Sequence, residues 1–425
     1  MSRNAPTLIK LHDKQHDIAK AFKANRRVVL RCGRRFGKTS LLERCALKWA
    51  MQNKRVGWFG PQYRLNTPTY SRILHGGGSS VTRKSKIDQI IEFGAGCVEF
   101  WTLNDENAGR SRFYDKVIID EGSLVPRGLR DIWEQAIAPT LLDRRGDAIM
   151  AGTPKGIDPD NFFYEACTNK DLGWVEFHAP TAANPMLDPE AVAKLVDEYP
   201  PLVYQQEYLA EFVDWSGAAF FARDSLLHDG KPYAWPDRCD TVFAVIDTAI
   251  KTGTKNDGTG VVFFSYNRLR KPRLLVLDWE YRQIEGALLV DWLPSVFVRL
   301  AEYAEKCGAR YGSSGARIED KASGMVLLQQ AARNGWPARA IDSKLTAVGK
   351  DERAVSVSGY VFGGDVGLTD VAYDRIVNFK GITQNHFLTQ VCGFRPGVKD
   401  ANAHDDLLDC FTYGVSLTCG NSDGY

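Results

Sequence analysis

The run Arg31–Ser40, RCGRRFGKTS, carries the end of the phosphate-binding pattern G-x-x-x-x-G-K-[ST]. Gly37, Lys38 and Thr39 fit it, Cys32 stands where the first glycine belongs, and Arg31, Arg34 and Arg35 crowd the same stretch. The chemistry of such a run is anion binding at a helix start, where open backbone N–H groups and the helix dipole favour a phosphate. Lys38 is placed to reach the β- and γ-phosphates of a nucleotide and Thr39 to hold Mg²⁺, with Ser40 beside it. Alone, the incomplete pattern equally describes a glycine-softened turn before a basic helix.

Other residues extend that reading. KVIIDE ends an apolar run with Asp120 and Glu121, suited to orienting Mg²⁺ through water and to positioning an attacking water as its base. AGTP follows a further apolar run, so Thr153 is a candidate γ-phosphate sensor, and Gln15 in LHDKQHDI a candidate reader of an adenine edge. A guanidinium stabilises charge spread over the γ-phosphoryl oxygens. Arg34 lies inside the loop, while Arg110 and Arg112 in NAGRSRFYDK precede Asp120 and are candidates to act on their own or a neighbouring subunit's site.

The second half carries a separate set of acids. Asp247 ends TVFAVID, Glu319 and Asp320 end ARIED, and Asp405, Asp406 and Asp409 lie in HDDLLDC at an expected helix start. Acids from a first strand, a later strand end and a C-terminal helix can converge on two divalent ions, and hard oxygen ligands suit Mg²⁺ or Mn²⁺. Two such ions activate water and stabilise the leaving oxygen at a phosphodiester. Asp257 is a candidate accessory ligand and His404 a candidate proton shuttle, each with a plainer reading as a turn or cap residue.

Elements that would position these groups are visible in the periodicity. RRVVLRC, RVGWFGP, KVIIDE and DAIMAGTP read as buried strands alternating with helices such as TSLLERCALKWAMQN, which predicts an α/β domain with a mostly parallel sheet. Residues from about 158 to 213 show no strong strand run, and DPEAVAKLVDEYPPLVYQQEYLAEFVDW reads as helical, with a break at Pro200–Pro201. WSGAAFFARDSLLHDGKPYAWPDRCD is irregular, and TVFAVIDT, GTGVVFFSYN and RLLVLDWEY then begin a second, mixed-sheet domain as a meander. The expected division is a first, nucleotide-site domain over 1–213 whose last part, about 158–213, stands apart from the sheet, a linker over 214–238, and a second domain over 239–425.

A length of 425 residues suits two or three domains, and a net charge of +2 makes any nucleic-acid site a local patch, with TRKSK and RLRKPR as candidates. The nine cysteines form no C-x-x-C pair and read as reduced thiols. MSRNAPTLIK shows no signal peptide, and no apolar run is long enough to span a bilayer.

Taken in order over nearly the whole chain, these motifs resemble the large terminase subunit of tailed double-stranded DNA bacteriophages. CGRRFGKT, VIIDE and AGTP are similar to its variant Walker A, Walker B and coupling motifs, and that family commonly carries an arginine four residues before the lysine, here Arg34. QQEYLAEFVD is similar to the end of its lid, and VIDT, IEDKASG and HDDLLD to the acidic motifs of its ribonuclease H-like nuclease domain. The resemblance implies that the first domain, 1–213, is an ATPase domain and that about 158–213 is its lid. The resemblance implies ATP-driven translocation of viral double-stranded DNA into a procapsid and two-metal cleavage of concatemeric DNA. It implies ATP and Mg²⁺ as cofactors, with Mn²⁺ an alternative at the nuclease site. Its implied partners are viral DNA, a small terminase subunit, the portal of the procapsid and further copies in a ring, with no membrane. Its implied location is the host cytoplasm, outside the mature virion. Asp247 and Glu319 match its first two nuclease acids best, while the choices between Glu319 and Asp320 and between Asp405 and Asp406 stay open, with Asp409 a fourth acid. A DNA-repair helicase–nuclease and a non-catalytic, nucleotide-regulated DNA-binding scaffold are the competing readings.

Overall fold

The computed structural model describes residues 5–125, 128–215, 219–248, 258–284, 288–321, 323–396 and 404–420. The chain divides into two compact units, residues 1–196 with 201–214, and residues 197–200 with 215–425.

Among the described residues, the first unit holds eight strands: β1 (Arg27–Cys32), β2 (Arg55–Gly60), β3 (Arg83–Ser85), β4 (Ile90–Phe93), β5 (Gly96–Thr102), β6 (Lys116–Ile119), β7 (Asp147–Gly152) and β8 (Val175–Ala179). They form one sheet in the order β3-β4-β5-β2-β6-β7-β1-β8. Every pair from β5 to β8 is parallel, and β3 and β4 add an antiparallel edge. Val28, Val29 and Leu30 of β1 are all fully buried, as expected of a strand covered on both faces. Val28 and Leu30 enter a core shared with Leu41, Leu42 and Ala46, while Val29 enters another shared with Phe162 and Trp133. The helices are α1 (Asp13–Ala24), α2 (Lys38–Met51), α3 (Tyr63–Gly77), the short α4 (Leu129–Ile132), α5 (Phe162–Thr168), α6 (Pro189–Glu198) and α7 (Pro201–Glu207). The break between α6 and α7 falls at the two prolines, and Pro201 opens α7, where a missing N–H costs nothing.

Two expectations change. The 158–213 stretch does contain a strand, because β8 pairs in parallel with β1 at the sheet edge. Its largely exposed residues hide the apolar run that marks a central strand. The 214–238 stretch is not a free linker: Trp215, Phe220, Phe221 and Leu226 are buried, and Phe220 and Phe221 pack against Phe394 within the second unit.

In the second unit β9 (Thr241–Thr248), β10 (Thr259–Tyr266) and β11 (Leu274–Arg282) form an antiparallel meander. β12 (Ser313–Ile318) and β13 (Ala338–Ala340) extend it in parallel beyond β9, and β14 (Val366–Leu368) in parallel beyond β11, giving the order β13-β12-β9-β10-β11-β14. α8 (Leu289–Lys306) and α9 (Ser323–Asn334) supply Leu293, Val296, Leu300 and Leu327 to the core on one face. α10 (Ser343–Thr346), α11 (Lys350–Phe362), α12 (Asp370–Asp374), α13 (His386–Gly393) and α14 (Asp406–Thr418) follow, with α14 packed on β9, β10 and α11. A hairpin of β15 (Val377–Phe379) and β16 (Ile382–Gln384) stands apart from the main sheet.

Candidate functional site

Each unit presents one site. In the first, β1 runs into the loop 33–37 and α2 begins at Lys38, the context that a phosphate loop requires. Gly37 caps α2 at φ +96°, a left-handed conformation that side chains rarely adopt. The other constrained glycine is Gly33, one place after the position the pattern names: a Cβ there would lie 2.5 Å from the Tyr208 carbonyl oxygen. The close approach that fixes the loop thus falls on Gly33, and Cys32 is tolerated before it. Burial pushes the Cys32 thiol up to about 12, so it stays neutral.

Lys38 is 7% exposed; its ammonium donates to Thr153 Oγ1 at 2.9 Å and faces Glu121 Oε1 at 3.7 Å. Thr153, at the end of neighbouring β7, donates in turn to the Cys32 carbonyl at 3.0 Å. Thr39 Oγ1 donates to Asp120 Oδ2 at 3.4 Å. Asp120 is buried, and its Oδ1 has no hydrogen-bond partner. Its carboxyl is pushed up to about 7, by burial first and by the Glu121 charge next, against the pull of Lys38. Glu121 sits at φ +52°, a strained conformation for a residue with a Cβ and one that recurs at functional sites. An unpartnered buried oxygen beside a hydroxyl and a strained carboxylate fits a hydrated divalent cation. Lys38, Thr39, Asp120, Glu121 and Thr153 are therefore brought together, with Ser40 following in the first turn of α2.

Gln15 also reaches the loop, through protein contacts. Its amide donates to the Gly37 carbonyl at 2.9 Å and accepts from the His12 N–H at 3.1 Å, closing the capping box of α1. The geometry thus shows it bracing the phosphate loop. Arg34 lies beside the loop with Nε 2.6 Å from Glu207 Oε2. Arg110 and Arg112 are exposed on the loop between β5 and β6, and Arg112 leans toward Glu99 at 3.7 Å. Two groups went unread in the sequence. Glu207 is fully buried at the end of α7, and Lys155, directly after AGTP, reaches its other oxygen at 3.1 Å.

The second site gathers at the strand ends β9 and β12 and the start of α14. Burial, reinforced by the charges of Asp409, Asp406 and Glu319, holds the Asp247 carboxyl well above its usual range. Asp406 is buried and accepts from the Tyr281 hydroxyl at 2.8 Å and the Gly258 N–H at 3.3 Å. Glu319 Oε1 accepts from the Tyr413 hydroxyl at 2.9 Å and from Lys321 at 2.5 Å. Asp320 is exposed, and Asp405 pairs with Lys350. Asp409 pairs with the buried Arg353, whose guanidinium lies 4.0 Å over the Tyr413 ring. Burial raises the Asp409 carboxyl while Arg353 lowers it, and the net direction is upward. His404 touches the rings of Tyr281 and Phe379. Asp257 lies outside the described residues.

Glu319 and Asp406 act electrostatically on Asp247, whereas Asp320 is exposed and Asp405 is half-buried against Lys350. Among the described residues no three such groups are drawn into a ready metal-holding cluster, since Asp409 and Asp405 are turned on to Arg353 and Lys350. The donor set still fits hard divalent cations, because three carboxylates act on the half-buried Asp247 and each remains an oxygen donor. Tyr281, Tyr413, Lys350 and Arg353 were not singled out in the sequence, where a tyrosine in an apolar strand or helix reads as core.

No family model matches the chain. Two curated proteins, the terminase large subunits of Thermus phage G20c and Thermus virus P23-45, are each 32% identical to it over 138 residues. That match covers 28% of this chain and 27% of each of theirs, so the chain matches about a quarter of the length of those relatives. The solved large terminase of a thermophilic bacteriophage has a TM-score of 0.63 at 15% identity, covering 97% of this chain and 100% of its own. A structure of that protein in complex with ADP gives 0.64 with the same coverage. The chain therefore has the large terminase fold along almost its whole length, in agreement with the resemblance in its motifs. Among the described residues no helix is long and apolar enough to cross a membrane.

Proposed function

We propose that this chain is a large terminase subunit, an ATPase that drives viral double-stranded DNA into a procapsid and a nuclease that cuts the concatemer. The observation that carries this reading is the pairing of two chemically distinct sites on one chain. Lys38, Thr39, Asp120, Glu121 and Thr153 converge at one sheet, and at another Glu319 and Asp406 lie within electrostatic reach of Asp247.

In the first unit the N–H groups at the start of α2 and the Lys38 ammonium bind the nucleotide phosphates. Thr153 and Glu121 hold Lys38 in place. Glu121 accepts the proton of the attacking water, and Arg34 stabilises charge on the γ-phosphoryl oxygens. Thr39 and Asp120 would hold Mg²⁺, which supplies charge neutralisation on those phosphates. Arg110 and Arg112, exposed on one loop, are the candidates to reach a neighbouring copy in a ring on the portal. Gln15 braces the loop from α1.

In the second unit Asp247, Glu319 and Asp406 would hold Mg²⁺ or Mn²⁺, with Asp409 as a flanking acid. When bound, these ions supply an activated water and stabilise a leaving oxygen. The chain's own part is to orient the ligands: Tyr281 fixes Asp406 and Tyr413 fixes Glu319. Viral DNA, a small terminase subunit and the portal are the proposed partners, and the host cytoplasm the location.

The test uses the full chain with plasmid DNA, ATP and Mg²⁺. Asp247→Asn should lose cleavage and keep ATP turnover, and Glu121→Gln should do the reverse. Loss of both activities in either variant would refute two independent sites. Absence of both activities in the wild type would favour a non-catalytic scaffold.

A further inference from the structure

Glu207 is a fully buried carboxylate to which the mechanism above gives no part. Its two oxygens serve two cations from separate motifs. Oε2 accepts from Arg34 Nε at 2.6 Å, within the phosphate loop, and Oε1 accepts from Lys155 Nζ at 3.1 Å, directly after AGTP. Gln206 Nε2 adds a third bond at 2.9 Å, and the Arg34 N–H donates to the Glu207 carbonyl at 2.8 Å. Burial alone would raise this carboxyl, but Lys155 and then Arg34 overcome it and hold it at about 2, so it is ionised at every working pH.

The residues after Glu207 are fastened to the same loop. The Tyr208 carbonyl accepts from the Thr181 N–H at 2.8 Å, and Thr181 Oγ1 donates to the Arg34 carbonyl at 2.6 Å. Arg31 Nη1 donates to the Ala210 carbonyl at 2.5 Å, and Ala210 sits at φ +59°. Asn184 Nδ2 donates to the Arg35 carbonyl at 2.7 Å. Residues 208–214 lead out of the first unit, so the phosphate loop and the exit segment share one set of bonds.

We propose that Glu207 is the positioning residue of the ATPase site: its buried carboxylate holds Arg34 and Lys155 beside the phosphate loop and ties both to the segment 208–214. This rests on the ATPase reading above. A guanidinium anchored through Nε is restrained to one orientation, and charge stabilisation in a transition state depends on such restraint. Ground-state binding of the nucleotide rests on Lys38 and the start of α2 and is spared.

The test is a double-mutant cycle on the full chain, reading ATP turnover and nucleotide affinity separately. Glu207→Gln keeps the shape and the Gln206 contact but removes the charge. It should lower kcat by about 10²-fold, the cost of a small misplacement, with nucleotide Kd within about threefold. If Glu207 acts through Arg34 and Lys155, adding Glu207→Gln to the Arg34→Ala, Lys155→Ala pair should lower kcat no further. Multiplying effects, or a normal kcat in Glu207→Gln, would overturn the inference. Should Glu207→Gln not fold, Glu207→Asp, which keeps the charge but retracts it, should lower kcat with KM unchanged; a wild-type kcat there would equally overturn it. A wild-type chain that hydrolyses no ATP would instead refute the ATPase reading itself.

Discussion

Replacing Asp120 by asparagine should stabilise the nucleotide-free protein while abolishing ATP turnover. The carboxyl is buried, one of its oxygens has no partner, and its affinity for a proton is raised from 3.8 to about 7. The sign follows from linkage. An acid that binds its proton more tightly when folded costs nothing below about pH 4, where it is protonated in both states. The cost grows through the window from about pH 4 to pH 7 and is complete above it. At 1.36 kcal/mol per pH unit the ceiling is about 4 kcal/mol. Part of it is charge repulsion from Glu121, which relaxes when either residue changes, so the expected gain is about 1–3 kcal/mol. At roughly 2–4 °C per kcal/mol for a unit of this size, Tm at pH 8 should rise by several degrees. Asparagine keeps an oxygen for the Thr39 hydroxyl, so the 3.4 Å contact survives. Differential scanning calorimetry of both proteins without nucleotide, from pH 4 to pH 8, measures the gap. It should be near zero at the acid end and widen upward, with steady-state ATPase lost throughout. A variant less stable than wild type at pH 8 would show that Asp120 serves the fold and not the nucleotide.

Three further outcomes are expected. Lys38→Ala should weaken ATP binding by at least about tenfold, as a lost charge-assisted contact implies, whereas Glu121→Gln should bind ATP normally and fail to turn it over; equilibrium binding of a fluorescent ATP analogue separates them, and equal loss of binding would sink the assignment. Tyr413→Phe removes the hydroxyl on Glu319 and should lower DNA cleavage by about 10–100-fold, the usual cost of freeing a ligand, with ATP turnover unchanged; cleavage at the wild-type rate would remove Tyr413 from the site. Asp406→Asn should abolish cleavage and Asp405→Asn, whose carboxylate is paired with Lys350, should retain most of it, read on supercoiled plasmid; the opposite ranking would exchange their roles.

The sequence disclosed the parts that repeat a local rule and hid those that depend on a distant neighbour. β1, β6 and β7 were legible because a strand buried on both faces reads as an unbroken apolar run, and each leads straight into residues that face the site. β8 was not, because at the sheet edge its side chains are largely open to solvent, and β3 is the polar RKS of an antiparallel hairpin. The choice between Asp405 and Asp406 needed the helix itself. Successive residues at the start of α14 point in different directions, so Asp406 turns to Tyr281 while Asp405 turns to Lys350. Glu207 was hidden for the same physical reason. An acid within QQEYLAEF reads as a solvated helix face, and its burial is tolerable only because Arg34 and Lys155 arrive from positions 173 and 52 residues away. A buried charge is therefore a record of tertiary structure: it can persist only where the fold delivers its counter-charges. That is why the groups given no chemical part by the sequence, Glu207 in one unit and Arg353 in the other, each stand next to one that a motif did single out, Arg34 and Asp409.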